Sequence, residues 1–153
     1  MYSKDESSTI KQTFWTTFGQ YISPQLSADR LKVNWVNYKT GIKHLYFKME
    51  TANRSVSIGI VIAHPDRGIQ ELFFEQFTEL KTLMKNTLGE DWIWALHGTD
   101  DYGKTISRIY TQLDGVSVYN RADWPQLISF FKPRIVALDE FWNTAQYSFE
   151  SLK

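Results

Sequence analysis

His44-Leu-Tyr-Phe-Lys-Met49 and Ser55-Val-Ser-Ile-Gly-Ile-Val-Ile-Ala63 are the stretches on which the fold turns. In the first, Leu45, Phe47 and Met49 alternate with His44, Tyr46 and Lys48. In the second, Val56, Ile58, Ile60 and Ile62 alternate with Ser55, Ser57, Gly59, Val61 and Ala63. Such alternation has the period of a β-strand whose two faces meet different surroundings. Ala52-Asn53 between them marks a turn, and so short a connection joins antiparallel neighbours. The small residues on one face of the second strand predict a surface that is closely approached or partly covered.

Working outward, Val33 to Tyr38 reads as a further strand, set off by a Thr40-Gly41 turn. Trp92 to His97 and Lys104 to Leu113 form a second strand group, and Asp114-Gly115 signals a tight hairpin into Val116 to Tyr119. Helical periods occupy the rest. Ser3-Lys-Asp-Glu6 reads as a capping box, with Ile10, Phe14, Phe18 and Ile22 recurring every four residues behind it. Ser23-Pro24 ends that helix. Gly68 to Leu88 carries a broad stripe of Ile69, Leu72, Phe73, Phe77, Leu80 and Met84, and Gly89 sits where a helix-ending glycine belongs. Arg121 to Glu150 is helical, with Pro133 expected to kink or split it. Its Ile135, Leu138, Trp142, Ala145 and Phe149 could form a dimer seam, although packing on the chain's own sheet is the better reading. The pattern predicts a single α+β domain over residues 1–153. Its order is about αβββαβββα: a mainly antiparallel five- or six-stranded sheet with three main helices packed mostly on one face.

The composition narrows the function. The 153 residues carry 17 Lys and Arg against 17 Asp and Glu, which argues against a strongly basic nucleic-acid binder. The chain has no Cys, so disulfides, thiolate metal sites and a thiol nucleophile are excluded. The polar opening, MYSKDESSTIKQ, is not a secretory signal, and no apolar run is long enough to span a membrane. A cytoplasmic location is the expectation.

The motifs are sparse. Pro65-Asp66 followed by Glu79-Leu80-Lys81 imitates a nuclease signature, but Glu79 and Lys81 fall inside a helical pattern, where they diverge. Asp66 is better read as a helix cap. Glu71, Glu75 and Glu79 read as a solvated face. His64 and His97 end apolar strands, where catalytic groups often sit, yet a histidine satisfying backbone groups is commoner there. The sequence from Gly98 to Gly103 reads as a hairpin loop. Arg108 lies among apolar strand residues and needs a partner, with Asp139 or Glu140 the internal candidates. Trp92 and Trp94 share a strand face, where aromatics serve a core or stack on bases. The candidate binding residues are therefore His64, Trp94, His97, Lys104 and Arg108. No catalytic residue, metal site or cofactor is indicated.

Phe14-Trp15, Leu80-Lys81, Leu88-Gly89 with Trp94 beyond it, Ser107-Arg108-Ile109 and Trp124 stand in an order that resembles the uncharacterised bacterial domain of unknown function 4268 family, over almost the whole chain. The resemblance implies a bacterial protein whose relatives occur alone or behind nuclease-like domains, and it carries over no catalytic residue. The leading expectation is a non-enzymatic interaction or accessory domain, taking a protein partner or a second copy rather than nucleic acid. The alternative is a nucleic-acid-associated domain linked to nuclease or DNA-defence systems, with a basic face around Lys104, Arg108, Arg121 and Arg134. A third is an enzyme using His64 or His97 with a nearby carboxylate.

Overall fold

Alternation in the sequence becomes strand pairing in the computed structural model, which describes residues 3–153; Met1 and Tyr2, at the head of the polar opening, lie outside the described residues. In chain order the elements are α1 (Lys4–Ile22), β1 (Leu45–Thr51), β2 (Ser55–Ile62), α2 (Arg67–Glu79), α3 (Lys81–Leu88), β3 (Ile93–Thr99), β4 (Thr105–Asp114) and α4 (Trp124–Ala145). Short 3₁₀ helices, Arg121–Asp123 and Gln146–Leu152, flank α4. The sheet order is β1-β2-β4-β3, with every neighbouring pair antiparallel. β4 thus inserts between β2 and β3, which run parallel to each other and are joined by α2 and α3.

The helices begin where local chemistry says they should. Ser3 caps α1 by accepting the Glu6 N–H at 3.1 Å, and Asp66 caps α2 by accepting the Ile69 N–H at 3.1 Å. Gly89, at φ +74°, takes the left-handed conformation that closes α3. α2 and α4 pack on the sheet face of Val56, Ile58, Ile60 and Ile62, and α1 and α3 pack against α4. Phe14 and Phe18 of α1 meet Trp124 and Phe131 of α4, while Phe73 and Phe77 of α2 meet Trp142 and Phe149. Each such side chain contributes about 1.5–3 kcal/mol by leaving water. Among the described residues no helix covers the opposite sheet face.

Several expectations are corrected. Among the described residues the sheet has four strands, not five or six. Val33 to Tyr38 is held by side chains instead of a ladder: the Trp35 indole donates to the Gln25 carbonyl at 2.9 Å, and Asn34 accepts the Asn37 N–H at 3.0 Å. Val116 to Tyr119 is not a strand either. Gly115, at φ +78°, donates to Arg54 and turns the chain away from the sheet, and Asp123 then takes the Ser117 N–H at 2.9 Å. The described residues form four α-helices, not three, because the stretch from Gly68 to Leu88 breaks at Leu80, whose φ/ψ of −96°/12° leaves the helical region. Pro133 does not split α4, which runs unbroken from Trp124 to Ala145. Pro133 and Ser129, whose carbonyl loses its helical donor to the proline, both lie on the exposed side, open to solvent. The seam of Ile135, Leu138, Trp142, Ala145 and Phe149 is buried in the chain's own core.

Candidate functional site

The helix-free face of the sheet is organised by its register. Tyr46, Val61, Arg108 and Ala95 form one row across the strands; Lys48, Gly59, Tyr110 and Ile93 form the next. Along β2 this face is built from small residues, as the sequence suggested. A Cβ added at Gly59 would lie 2.6 Å from the Tyr110 Cβ and 2.7 Å from the Ile109 carbonyl oxygen, so the close approach of β4 to β2 there requires glycine. The larger side chains of β1 and β4 rise on either side. The Arg108 guanidinium stacks 4.0 Å from the centre of the Tyr110 ring, and the Lys48 ammonium sits 5.1 Å from that of Tyr46. Among the described residues neither cation has a carboxylate within ion-pair distance.

A cleft of about 360 Å³ opens between these rows, with Val61, Ala63, Lys48, Glu50, Ile106 and Arg108 along it and the β3–β4 loop at its end. That loop is built by Asp100, whose carboxylate accepts the N–H groups of Tyr102 and Lys104 at 2.9 and 2.8 Å. Gly103, at φ +77°, completes the turn. Tyr102 is thereby held at the tip, 89% exposed, beside the cleft. Asp101 and Glu50 place negative charge against the two cations, so the cleft carries both signs.

The other candidates do not converge here. Arg108 finds neither Asp139 nor Glu140, because Asp139 lies on the helical side, where it accepts the Tyr38 hydroxyl at 2.6 Å and the Ala28 N–H at 2.7 Å. Burial and the bond to that carboxylate push the Tyr38 hydroxyl far above the ordinary tyrosine pKa. Trp94 points to the helical side and meets Phe74 edge to face at 5.5 Å, with the Lys81 ammonium 5.2 Å from its ring centre. The basic face also dissolves. Arg134 is held by Glu90 at 2.7 and 3.2 Å, and Arg121 lies against Trp124 at 4.6 Å.

His64 and His97 do share a neighbourhood, through a residue the motif reading passed over. Gln70 of α2 is fully buried. Its amide donates to the carbonyls of His64 and Thr105, both at 2.8 Å, and accepts the Ser107 hydroxyl at 2.9 Å. Ser107 in turn accepts the His97 N–H at 3.0 Å. A polar residue among Phe73 and Phe77 on the inward stripe of α2 is the signal that marks it. Both ring nitrogens of His97 are engaged, Nε2 with the Arg67 carbonyl at 3.1 Å and Nδ1 toward Glu71 at 3.7 Å. His64 Nδ1 accepts the Asp66 N–H at 3.0 Å. The His64 ring lies 5.1 Å from that of His44, which partial burial, His64 and Lys43 hold below the ordinary histidine pKa. These histidines tie strand ends to α2. Among the described residues no three His, Asp or Glu side chains stand together as metal ligands.

The fold and this face define an α+β domain with one sheet face packed and the other open. The chain belongs to the family described as Domain of unknown function (DUF4268), whose model matches residues 10–146. No curated protein and no solved structure matches it. No helix among the described residues is long and apolar enough to cross a membrane.

Proposed function

We propose that the chain is an accessory binding domain, working in the bacterial cytoplasm, that holds a protein partner on the helix-free face of its sheet. The observation that carries this reading is Arg108: a guanidinium stacked on Tyr110, with no carboxylate of the described residues within ion-pair distance, lining a cleft that also presents Tyr102. Arginine and tyrosine in such settings anchor protein interfaces. The mixed charge of the cleft favours a protein surface over a polyanion, because Glu50, Asp100 and Asp101 oppose a phosphate chain. His64, Trp94 and His97 act in this reading as supports of the sheet, and Lys104 closes the loop that presents Tyr102.

The test pairs two experiments. Affinity capture with the wild-type chain should recover a species that Arg108→Ala and Tyr102→Ala lose and that Glu79→Ala, on the helical side, retains. Titration of labelled single- and double-stranded oligonucleotides at low salt should show no binding. Oligonucleotide binding that weakens steeply with salt and disappears in Arg108→Ala would overturn the protein reading and establish the nucleic-acid one.

A further inference from the structure

We propose that the chain pairs with a second copy of itself through the outer edge of β1, in antiparallel register about a two-fold axis at Met49. The inference starts from the backbone and does not rest on the partner-binding reading above. The Ala63 N–H donates to the His44 carbonyl, and the Ala52 N–H donates to the Ser55 carbonyl, at 2.8 and 2.9 Å. These bonds fix the phase of the ladder. His44, Tyr46, Lys48, Glu50 and Ala52 turn their backbone groups toward β2, and Leu45, Phe47, Met49 and Thr51 turn theirs outward. At Leu45 the outward groups are used: its carbonyl accepts the Thr40 hydroxyl at 2.8 Å and its N–H donates to Ile42 at 3.3 Å. Among the described residues no bond reaches those of Phe47, Met49 and Thr51. The opposite edge differs. β3 is irregular between Ala95 and Gly98, with His97 at φ +53°, and such a bulge spoils a pairing template. β1 is therefore the regular open edge.

The side chains choose the occupant and the register. Outward groups must face outward groups, so an axis falls on a residue and shifts the strands by pairs. An axis at Lys48 sets Lys48 against its own copy, and one at Glu50 does the same with Glu50. An axis at Phe47 requires the backbone groups that Leu45 has already committed. An axis at Met49 sets Phe47 opposite Thr51 of the second copy and Met49 opposite itself, using every free outward group. On the helix-free face it sets Lys48 opposite Glu50 and Glu50 opposite Lys48. Opposite charges directly across a strand pair attract, and like charges there repel. The edge is thus complementary to itself, as a two-fold interface requires. On the core side, the half-buried Met49 and Thr51 would finish their burial against the second copy. The paired sheet would run through both chains and lay their helix-free faces side by side. Strand pairing alone covers less surface than a standard interface, so the dimer is a concentration-dependent one.

Sedimentation equilibrium of the full chain, from about 10 µM to about 1 mM, reads the association in the range where small interfaces operate. The wild-type mass should rise from 18.0 kDa toward twice that value. Lys48→Glu and Glu50→Lys each place like charges across the axis and should weaken self-association on the order of 10- to 100-fold. Mixed in equal amounts, these two variants should associate as the wild type does, because each then meets its opposite. The double variant K48E/E50K should dimerise alone, and Arg108→Ala should dimerise unchanged. The proposal is overturned if the wild type stays monomeric throughout, if the single variants self-associate like the wild type, or if the mixture does not recover.

Discussion

Removing the Gln70 side chain should uncouple α2 from β4 and from the end of β2 at once. The substitution Gln70→Ala deletes hydrogen bonds to His64 and Thr105 and the acceptor of the Ser107 hydroxyl, at 2.8, 2.8 and 2.9 Å. A typical intramolecular bond contributes about 1 kcal/mol net, and an abandoned buried partner costs about 1–3 kcal/mol. Two carbonyls and a hydroxyl are abandoned here, so the expected loss is about 3–5 kcal/mol. For a chain of this length that corresponds to roughly 6–20 °C in Tm. Urea denaturation followed by tryptophan fluorescence measures it. Ser107→Ala alone should cost less, and the double variant should show clear non-additivity, since the two side chains share a bond. Gln70→Glu adds a pH signature. A carboxylate facing two carbonyls is held protonated in the folded state, so its pKa is raised. The variant should therefore be most stable near pH 4 and lose stability as the pH rises toward the folded pKa. A loss below about 1 kcal/mol for Gln70→Ala, or additive single and double variants, would refute the view of this amide as the link between helix and sheet.

The remaining predictions concern single positions. Because the Tyr38 hydroxyl is pushed up, the unfolded chain ionises first, and stability should fall by about 1.4 kcal/mol per pH unit above about pH 10; that slope should vanish in Tyr38→Phe when the two are melted side by side. Gly59→Ala should cost about 1–3 kcal/mol in chemical denaturation, since its Cβ meets Tyr110 and the Ile109 carbonyl, and a neutral result would mean that β2 and β4 lie further apart. Pro133→Ala should stabilise the chain by about 1–3 kcal/mol, measured as a rise in Tm, because it restores the donor for the Ser129 carbonyl inside a helix that is already continuous.

The residues explain how far the sequence could be read. β1 and β2 are legible because the large apolar residues of each fall on one face, with polar residues opposite in β1 and small ones opposite in β2. Val33 to Tyr38 and Val116 to Tyr119 have the same apolar composition, and Trp35, Val116 and Val118 are indeed buried. Their side chains reach the core without backbone pairing, a distinction that composition does not express. The break at Leu80 escaped because the apolar stripe runs on through Met84, which packs inward from the redirected helix. Of the site residues, Arg108 stands out in the sequence as an arginine that, if buried, needs a carboxylate or carbonyl partner; it is half-buried and makes neither contact among the described residues. The partner proved to be the face of Tyr110, two residues along the same strand. Lys48 and Tyr102 went unmarked because their meaning comes from register and from the Asp100 turn.

The aromatic surplus deserves a different reading from the one it first invites. Most of the rings, from Phe14 and Phe18 to Trp142 and Phe149, fill the layer between sheet and helices. They explain why one face of the sheet needs no further partner. On the other face the rings are few, and each has a specific neighbour: Tyr110 the Arg108 guanidinium on its ring, Tyr46 the lysine beside it, Tyr102 the carboxylate that shapes its loop. Glycine at position 59 lets β4 approach β2 closely at Tyr110, and the Tyr110 ring carries the Arg108 guanidinium. That arrangement holds the guanidinium at the cleft without spending its charge on an internal carboxylate. The charge therefore stays available to a group that arrives from outside.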